Sequence, residues 1–324
     1  MNRIKLTGVI KPGIAATLLL FLGLAANVAQ AATINKTVCV RAIQMFGVPF
    51  WGFTDSCAGG MSSGLVPGPV VEVGVGDTLN LTLDMMMAPQ EPAPYSGHTI
   101  HMHGADVATS EDGVPDTGGK TTGDTYTWTP AAGMEGTYAY HCHQHTVKHL
   151  EMGMYATLVV RPKNASGAFL NQINSNSATA FDYVQNYLFS TVDPAYHNAI
   201  GDSTVFADYN PTKFLIDGKE GTSTSTPAIT LAAAPSKKVA LRLIGMHSVN
   251  STFSLGGPSF TVYVRDGRTL SSPMAVSSID ITPGTRYDIL FTLPSTSGTM
   301  YPRIVYKKLR DNATYATAYG KITY

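Results

Sequence analysis

Short segments rich in β-forming residues, separated by turn residues, dominate this chain. Its 31 glycines and 19 prolines fall between stretches rich in Thr, Val and Tyr, and charged residues make up only 14% of the chain. This pattern of residues is typical of short strands joined by turns. It predicts an all-β chain with alternating strands between residues 64 and 83 and further strands over residues 36–43, 125–129, 137–141, 155–160, 183–191, 213–216, 239–244, 260–264, 287–292, 303–306 and 316–322.

The first 31 residues have the features of an export signal. Arg3, Lys5 and Lys11 accompany an apolar run from residue 14 to about residue 26, and small residues follow at positions 29 and 31. We expect removal of this signal peptide and a periplasmic or secreted protein. The run is too short to span a membrane, and no later segment approaches the roughly 20 apolar residues that a span needs, so no membrane association is expected.

Residues 32–324 exceed the usual size of one domain, so two β-sandwiches are expected. We place the first at residues 32–162, a polar linker at residues 163–178 and the second at residues 179–324. Without the signal peptide the chain has 19 basic and 22 acidic residues. A mildly acidic protein gives no electrostatic reason to bind nucleic acid.

The three cysteines fall into a pair and a single residue. Cys39 and Cys57 lie in an N-terminal segment without neighbouring metal-ligand residues, and an exported protein meets an oxidising compartment. We therefore predict a disulfide between them. Cys142 remains, surrounded by histidines.

Seven of the nine histidines lie between positions 98 and 149, in the runs HTIHMHG (98–104) and HCHQHTVKHLEMGM (141–154). Side chains alternate along a strand, so His101 and His103 share one face, and His141 and His143 share a face opposite Cys142. The remaining His197 and His247 are candidates for further metal ligands, although surface positions are expected for both.

A thiolate, two imidazoles and a thioether favour a blue-copper site, in which Cys and His bind copper and a Met tunes its potential. Cys142, His98, His149 and Met154 supply that set. Structural zinc is the main chemical alternative. A single Cys without paired Cys spacing disfavours it.

These runs, together with PGP at 67–69, DGVP at 112–115 and GTYAYHCH at 136–143, resemble the N-terminal plastocyanin-like domain of the multicopper oxidase family. The resemblance implies two cupredoxin-like Greek-key β-sandwich domains and type 1 copper at His98, Cys142, His149 and Met154. It also assigns a type 2 copper ligand to His101 and type 3 copper ligands to His103, His141 and His143.

The second half departs from the family's copper domains because it has no His-x-His run. Its segments FLIDGK (214–219), RLI (242–244), VRDG (264–267) and PGTRYD (283–288) instead resemble the copper-free middle domain of laccases. The chain therefore offers half of the histidines of the family's trinuclear cluster. The resemblance implies that another subunit, usually in a trimer, or a partner chain completes it.

Three functions are consistent with these residues. The first is a multicopper oxidase that takes electrons from a small-molecule or protein donor and passes them through the His-Cys-His segment, with dioxygen as acceptor. The second is a non-enzymatic blue copper protein for electron transfer or copper handling. The three methionines at residues 85–87, together with Met102, Met152 and Met154, could bind Cu(I), although strand-end packing is the expected role of the first three. The third is nitrite reduction at a type 2 copper held by His103 and His141, with no third histidine evident.

Acidic residues near the histidine runs are candidates for moving protons. Asp106, Glu111 and Asp112 could relay protons to reduced oxygen, as carboxylates do near the family's cluster. Asp112 is the catalytic candidate, although it also begins a turn motif, where capping the turn is an equally good role.

Overall fold

The computed structural model describes residues 31–60, 63–89, 96–117, 123–199 and 209–324. Apart from Ala31, the predicted signal peptide lies outside these residues. They are mostly β-strand, with two short α-helices, which confirms the all-β prediction. No helix within the described ranges is long and apolar enough to cross a membrane.

The first part of the chain forms two four-stranded sheets, which we call the first sandwich. The elements are β1 (Thr33–Met45), β2 (Val48–Thr54), β3 (Val71–Gly74), β4 (Thr78–Asp84), β5 (His101–His103), β6 (Thr125–Trp128), β7 (Gly136–His141), helix α1 (Thr146–Glu151) and β8 (Tyr155–Arg161). The strand orders of the two sheets are β2-β1-β4-β6 and β3-β8-β7-β5.

The core of the first sandwich follows from strand alternation. In β4 the residues Leu79, Leu81 and Leu83 are buried, and the residues between them are half-buried. These leucines pack with residues of the facing sheet, including Tyr140 and Leu158. Each buried leucine contributes about 1.5–3 kcal/mol through the hydrophobic effect.

The rest of the chain forms the second sandwich. Its elements are β9 (Tyr183–Val192), α2 (Pro194–Ala199), β10 (Lys213–Ile216), β11 (Lys219–Glu220), β12 (Thr230–Ala232), β13 (Lys238–Gly245), β14 (Asn250–Ser254), β15 (Phe260–Arg265), β16 (Arg268–Val276), β17 (Ser278–Ile281), β18 (Arg286–Thr292), β19 (Thr299–Met300), β20 (Arg303–Lys307), β21 (Thr314–Tyr319) and β22 (Lys321–Thr323). A seven-stranded sheet with the order β11-β10-β9-β13-β18-β15-β16 lies against the four-stranded sheet β17-β14-β20-β21. A third sheet has the order β12-β22-β19.

Most predicted strands are observed with small shifts at their ends. The strand predicted over residues 316–322 is in fact two strands, β21 and β22, which belong to different sheets. The polar stretch at residues 163–178 contains no strand, but Ile173 within it is buried against the second sandwich.

The predicted disulfide is confirmed. Cys39 of β1 and Cys57 are bonded, with their Cα atoms 5.5 Å apart and a sequence separation of 18. Closing a loop of this length restricts the unfolded chain. We expect the Cys39→Ala/Cys57→Ala double variant to lose about 3 kcal/mol of unfolding free energy in urea titrations. A midpoint equal to that of the wild-type protein would contradict this expectation.

Candidate metal centres

Two neighbouring strands bring the histidine runs together. β5 pairs antiparallel with β7, and the register places His101 opposite His141. In β5 the side chain of Met102 is buried in the core, while His101 and His103 lie on the other face. The predicted alternation of these side chains is confirmed.

The first centre, which we call the thiolate cluster, consists of His98, Cys142 and His149. All three side chains are buried, and their ligand atoms lie within 4.8 Å of one another. Cys142 Sγ is 2.9 Å from Nδ1 of His149 and 3.9 Å from Nδ1 of His98, and these two nitrogens are 3.4 Å apart. The backbone N–H of Thr99 donates to the sulfur at 3.4 Å.

Hydrogen bonding and burial leave the imidazoles of the thiolate cluster ready to bind a metal. Nε2 of His98 donates to the carbonyl oxygen of Pro89 at 2.7 Å, so in the neutral ring Nδ1 carries the lone pair that faces Cys142. Burial, followed by the nearby His98, lowers the pKa of His149 to about 2, so this ring is neutral at pH 7. One sulfur and two imidazole nitrogens converging in a buried site fit copper.

A tight turn followed by helix α1 brings His149 back towards Cys142. The helix begins after His145, whose φ of 49° is left-handed, and His149 within the helix faces the sulfur. Met154 follows, and its backbone C=O accepts from the N–H of Cys142 at 3.1 Å. Its side chain is fully buried in the same apolar cluster as Cys142, so all four predicted type 1 ligands lie in one region.

The second centre, which we call the four-histidine cluster, consists of His101, His103, His141 and His143. Their neighbouring rings have centroids 5.1–5.8 Å apart, and Nδ1 of His103 is 3.3 Å from Nε2 of His141. All four rings line a cavity of about 350 Å³. The structure thus brings together every residue predicted for a second copper site.

Two rings of the four-histidine cluster are held by hydrogen bonds from their Nδ1 atoms. Nδ1 of His141 donates to the carbonyl oxygen of Cys142 at 2.9 Å, and Nδ1 of His101 donates to that of Asp112 at 2.9 Å. In the neutral rings each Nε2 is therefore available to a metal. Burial lowers the pKa of His141 well below its usual value, and burial and then Arg286 lower that of His103 to about 4.

The three acidic candidates differ in position. The carboxylate of Asp112 lies 3.1 Å from Nδ1 of His101, on the side of the ring away from its free nitrogen. Asp106 pairs with Arg268 at 2.6 Å, and the Glu111 carboxylate accepts from the backbone N–H of Thr127 at 2.6 Å. Asp112 is thus in direct contact with the four-histidine cluster.

The second sandwich forms the other wall of the cavity. The residues that form this wall are Thr191, Gly245, Met246, His247, Ser248, Pro283 and Gly284. Helix α1 of the first sandwich adds Thr146, Leu150 and Glu151 to the lining, and burial raises the pKa of the Glu151 carboxyl to about 7. Sequence reasoning missed this wall, because it forms where the two sandwiches dock.

The expectation that His197 and His247 are surface residues is wrong. Each is only 4% exposed. His247 donates from Nδ1 to the carbonyl oxygen of Val249 at 2.8 Å, and its Nε2 is 3.1 Å from the hydroxyl of Ser251. His197 packs against Phe50 with ring centroids 4.5 Å apart, because α2 packs against β2.

The expected packing of the three methionines is correct for one of them. Met85 packs against the core of the first sandwich. Met86 is 71% exposed and Met87 is 46% exposed, because β4 ends before them at Asp84.

Two family models described as multicopper oxidase match the chain, over residues 59–165 and residues 179–321. Laccase-6 of Oryza sativa subsp. japonica is 27% identical over 294 residues, which cover 86% of this chain and 46% of that protein. Laccase-3 of Botryotinia fuckeliana is 30% identical over 247 residues, which cover 73% of this chain and 50% of that protein. The chain spans about half the length of these relatives.

Among solved structures, the fold is similar to the crystal structure of blue copper oxidase from Nitrosomonas europaea. The TM-score is 0.67 with 22% sequence identity, and the match covers 90% of this chain and 85% of that one. At this identity the similarity shows the fold alone.

Proposed function

Because this chain belongs to the multicopper oxidase family, we propose that it is a copper-dependent oxidoreductase of the laccase-like type. Membership of this family implies copper cofactors, type 1 copper among them. In our proposal a reductant, either a small molecule or a protein, gives electrons at the thiolate cluster. The electrons leave through the four-histidine cluster, with dioxygen as the final acceptor.

One observation carries this proposal: three consecutive residues contribute to both clusters. The sulfur of Cys142 belongs to the thiolate cluster, while the rings of His141 and His143 line the cavity of the four-histidine cluster. A short path of covalent bonds therefore connects the two clusters. Such a connection suits electron transfer better than it suits two independent storage sites.

Each residue has a defined role in the proposal. His98, Cys142, His149 and Met154 would hold type 1 copper, and His101, His103, His141 and His143 would hold type 2 and type 3 copper. Bound copper would supply reversible one-electron chemistry. The protein contributes the orientation of the rings, through Asp112 for His101 and the Cys142 carbonyl for His141, and a buried environment around the sulfur.

The four-histidine cluster offers half of the family's trinuclear ligands, which supports completion by another chain. We propose that a neighbouring subunit, in a homotrimer, or a partner chain supplies the remaining ligands. The two histidines outside the clusters support this proposal indirectly. Both ring nitrogens of His247 face hydrogen-bonding partners, and His197 packs against β2 away from the cavity.

Export to the periplasm or outside the cell is part of the same proposal. It rests on the signal-like N-terminal residues. The Cys39–Cys57 disulfide supports it, because such bonds persist in oxidising compartments.

Oxygen consumption by the copper-loaded protein with a phenolic reductant tests the proposal. We expect steady consumption by the wild-type protein, and a rate more than about tenfold lower for His143→Asn, which removes one ligand of the four-histidine cluster. His145→Asn is the matched control, because His145 does not line the cavity and Asn tolerates its left-handed backbone. Its blue band is recorded as well, because the His145 ring lies 6.0 Å from the ring of His149.

Equal rates for the two variants would contradict the assigned role of His143. Reduction of the blue site without oxygen consumption by the wild-type protein would favour a non-enzymatic blue copper protein, in which the exposed thioethers of Met86 and Met87 could bind Cu(I). Turnover with nitrite in place of dioxygen would favour a nitrite reductase.

A further inference from the structure

One motif of the second sandwich reaches the four-histidine cluster without being a ligand. This is the segment of residues 283–288, which resembles the copper-free domain of laccases and begins at the cavity wall with Pro283 and Gly284. Arg286 lies at its centre, as the first residue of β18. The Arg286 side chain is only 4% exposed although it carries a charge.

Arg286 packs against the residue that follows His103. Gly104 has a φ of +82°, and a Cβ atom built there would lie 2.1 Å from Nη2 of Arg286. The guanidinium thus occupies the space that any larger residue at position 104 would need. This contact fixes the end of β5, from which the ring of His103 projects.

Arg286 also holds the cavity wall on the other side of the same ring. Its Nη1 donates to the carbonyl oxygen of Gly284 at 2.5 Å. A Cβ atom at Gly284 would lie 3.1 Å from Nε2 of His103, so the turn leaves the imidazole space that a side chain at position 284 would take. One planar guanidinium therefore touches both backbone segments that enclose His103.

The carboxylate of Asp266 keeps this arrangement rigid. Its Oδ1 accepts from the backbone N–H of Arg286 at 3.0 Å and lies 3.6 Å from Nη1. A buried cation that is paired and confined in this way has little freedom to move.

We propose that Arg286 is a positioning residue of the second copper site, by which the second sandwich sets the place of His103 in the four-histidine cluster. This inference rests on the proposed function, in that the cluster binds copper. In this inference the second sandwich helps to position a copper ligand of the first sandwich in the same chain. Glycine at position 104 fits this arrangement for two reasons, because its φ of +82° is left-handed and because the guanidinium fills the space beside it.

Arg268 provides a matched control. It lies on the same sandwich and also crosses to the first one, pairing with Asp106 at 2.6 Å and donating to the hydroxyl of Tyr138 at 2.9 Å. Its side chain is 43% exposed, and the contacts seen for Arg286 at Gly104 and Gly284 are not among those it makes in the described part of the chain.

The test compares copper-loaded, full-length Arg286→Met, Arg286→Lys and Arg268→Met. Copper per chain and electron paramagnetic resonance spectra report the second site, while the blue absorption band reports the type 1 site of the same molecule. We expect Arg286→Met to weaken copper binding at the second site by about 10–100-fold and to leave the blue band unchanged. Arg286→Lys should restore part of the binding, and Arg268→Met should match the wild-type protein.

Wild-type copper content and type 2 signal in Arg286→Met would overturn the inference. Parallel loss of both copper sites with a lowered melting temperature would also overturn it, because that result indicates a merely structural role. A wild-type protein that binds one copper ion would overturn both this inference and the proposed function.

Discussion

Replacement of Cys142 by serine is expected to abolish the blue absorption band of the copper-loaded protein and to remove one copper ion per chain. The sulfur of Cys142 lies 2.9 Å from Nδ1 of His149 and within reach of His98. A hydroxyl is a poor ligand for copper, whereas a thiolate is a strong one. Visible spectra and copper analysis of the Cys142→Ser protein check this expectation.

Met152→Leu is a suitable control for this experiment. Met152 is buried two residues before Met154, but Met154 and not Met152 is the predicted type 1 ligand. The control should keep the blue band, since Leu and Met are close in volume. A blue band that survives in Cys142→Ser would show that the thiolate cluster is not the type 1 site.

Replacement of Asp288 by alanine is expected to lower the free energy of unfolding by about 3–5 kcal/mol, because it leaves a buried guanidinium without its partner. Asp288 is paired with Arg242 at 2.7 Å, and both side chains are almost fully buried. Asp288 also accepts from the backbone N–H of Thr137 at 2.9 Å and from its hydroxyl at 2.6 Å. These contacts join β18 to β7 across the boundary between the sandwiches.

Urea unfolding of Asp288→Ala measures this loss. The control is Glu220→Ala, which breaks a pair of partly exposed side chains with an N–O distance of 3.3 Å to Lys213. Exposed pairs contribute about 0–1 kcal/mol, so this variant should stay close to the wild-type protein. Similar losses in the two variants would mean that the Asp288 pair does not hold the sandwiches together.

Features that depend on local pattern were predicted from the sequence. Residues 213–216 were predicted as a strand and are β10, because a short β-forming segment between turns leaves few alternatives. The shared face of His101 and His103 followed from strand alternation, and the Cys39–Cys57 bond followed from the count of cysteines.

Strand β2 was missed because its sequence contains Pro49 and Gly52, which weaken a strand pattern. Proline is tolerated there because β2 lies at the edge of its sheet. Gly52 is required by close packing, since a Cβ atom there would lie 2.2 Å from the carbonyl oxygen of Leu65. Neither condition can be recognised without the neighbouring chain segments.

Features that depend on the docking of the two sandwiches were also missed. They include the burial of His247, the contact of Arg286 with Gly104 and the pairing of Asp288 with Thr137. The two contacts join residues more than 100 positions apart, and His247 lies at the boundary between the sandwiches. The sequence segments containing Arg286 and Asp288 were recognised as similar to a laccase domain. Their position behind β7 and beside His103 was not predicted, because it is set by packing between the two sandwiches.

Copper stoichiometry of the purified, copper-loaded protein, recorded with visible and electron paramagnetic resonance spectra, reports both copper centres in one sample. We expect a blue type 1 signal together with additional copper that gives a type 2 signal, and near-ultraviolet absorption from coupled type 3 copper when the cluster is complete. One copper ion per chain with a type 1 signal alone would contradict the second centre, and a protein without a blue site would contradict the roles assigned to both clusters.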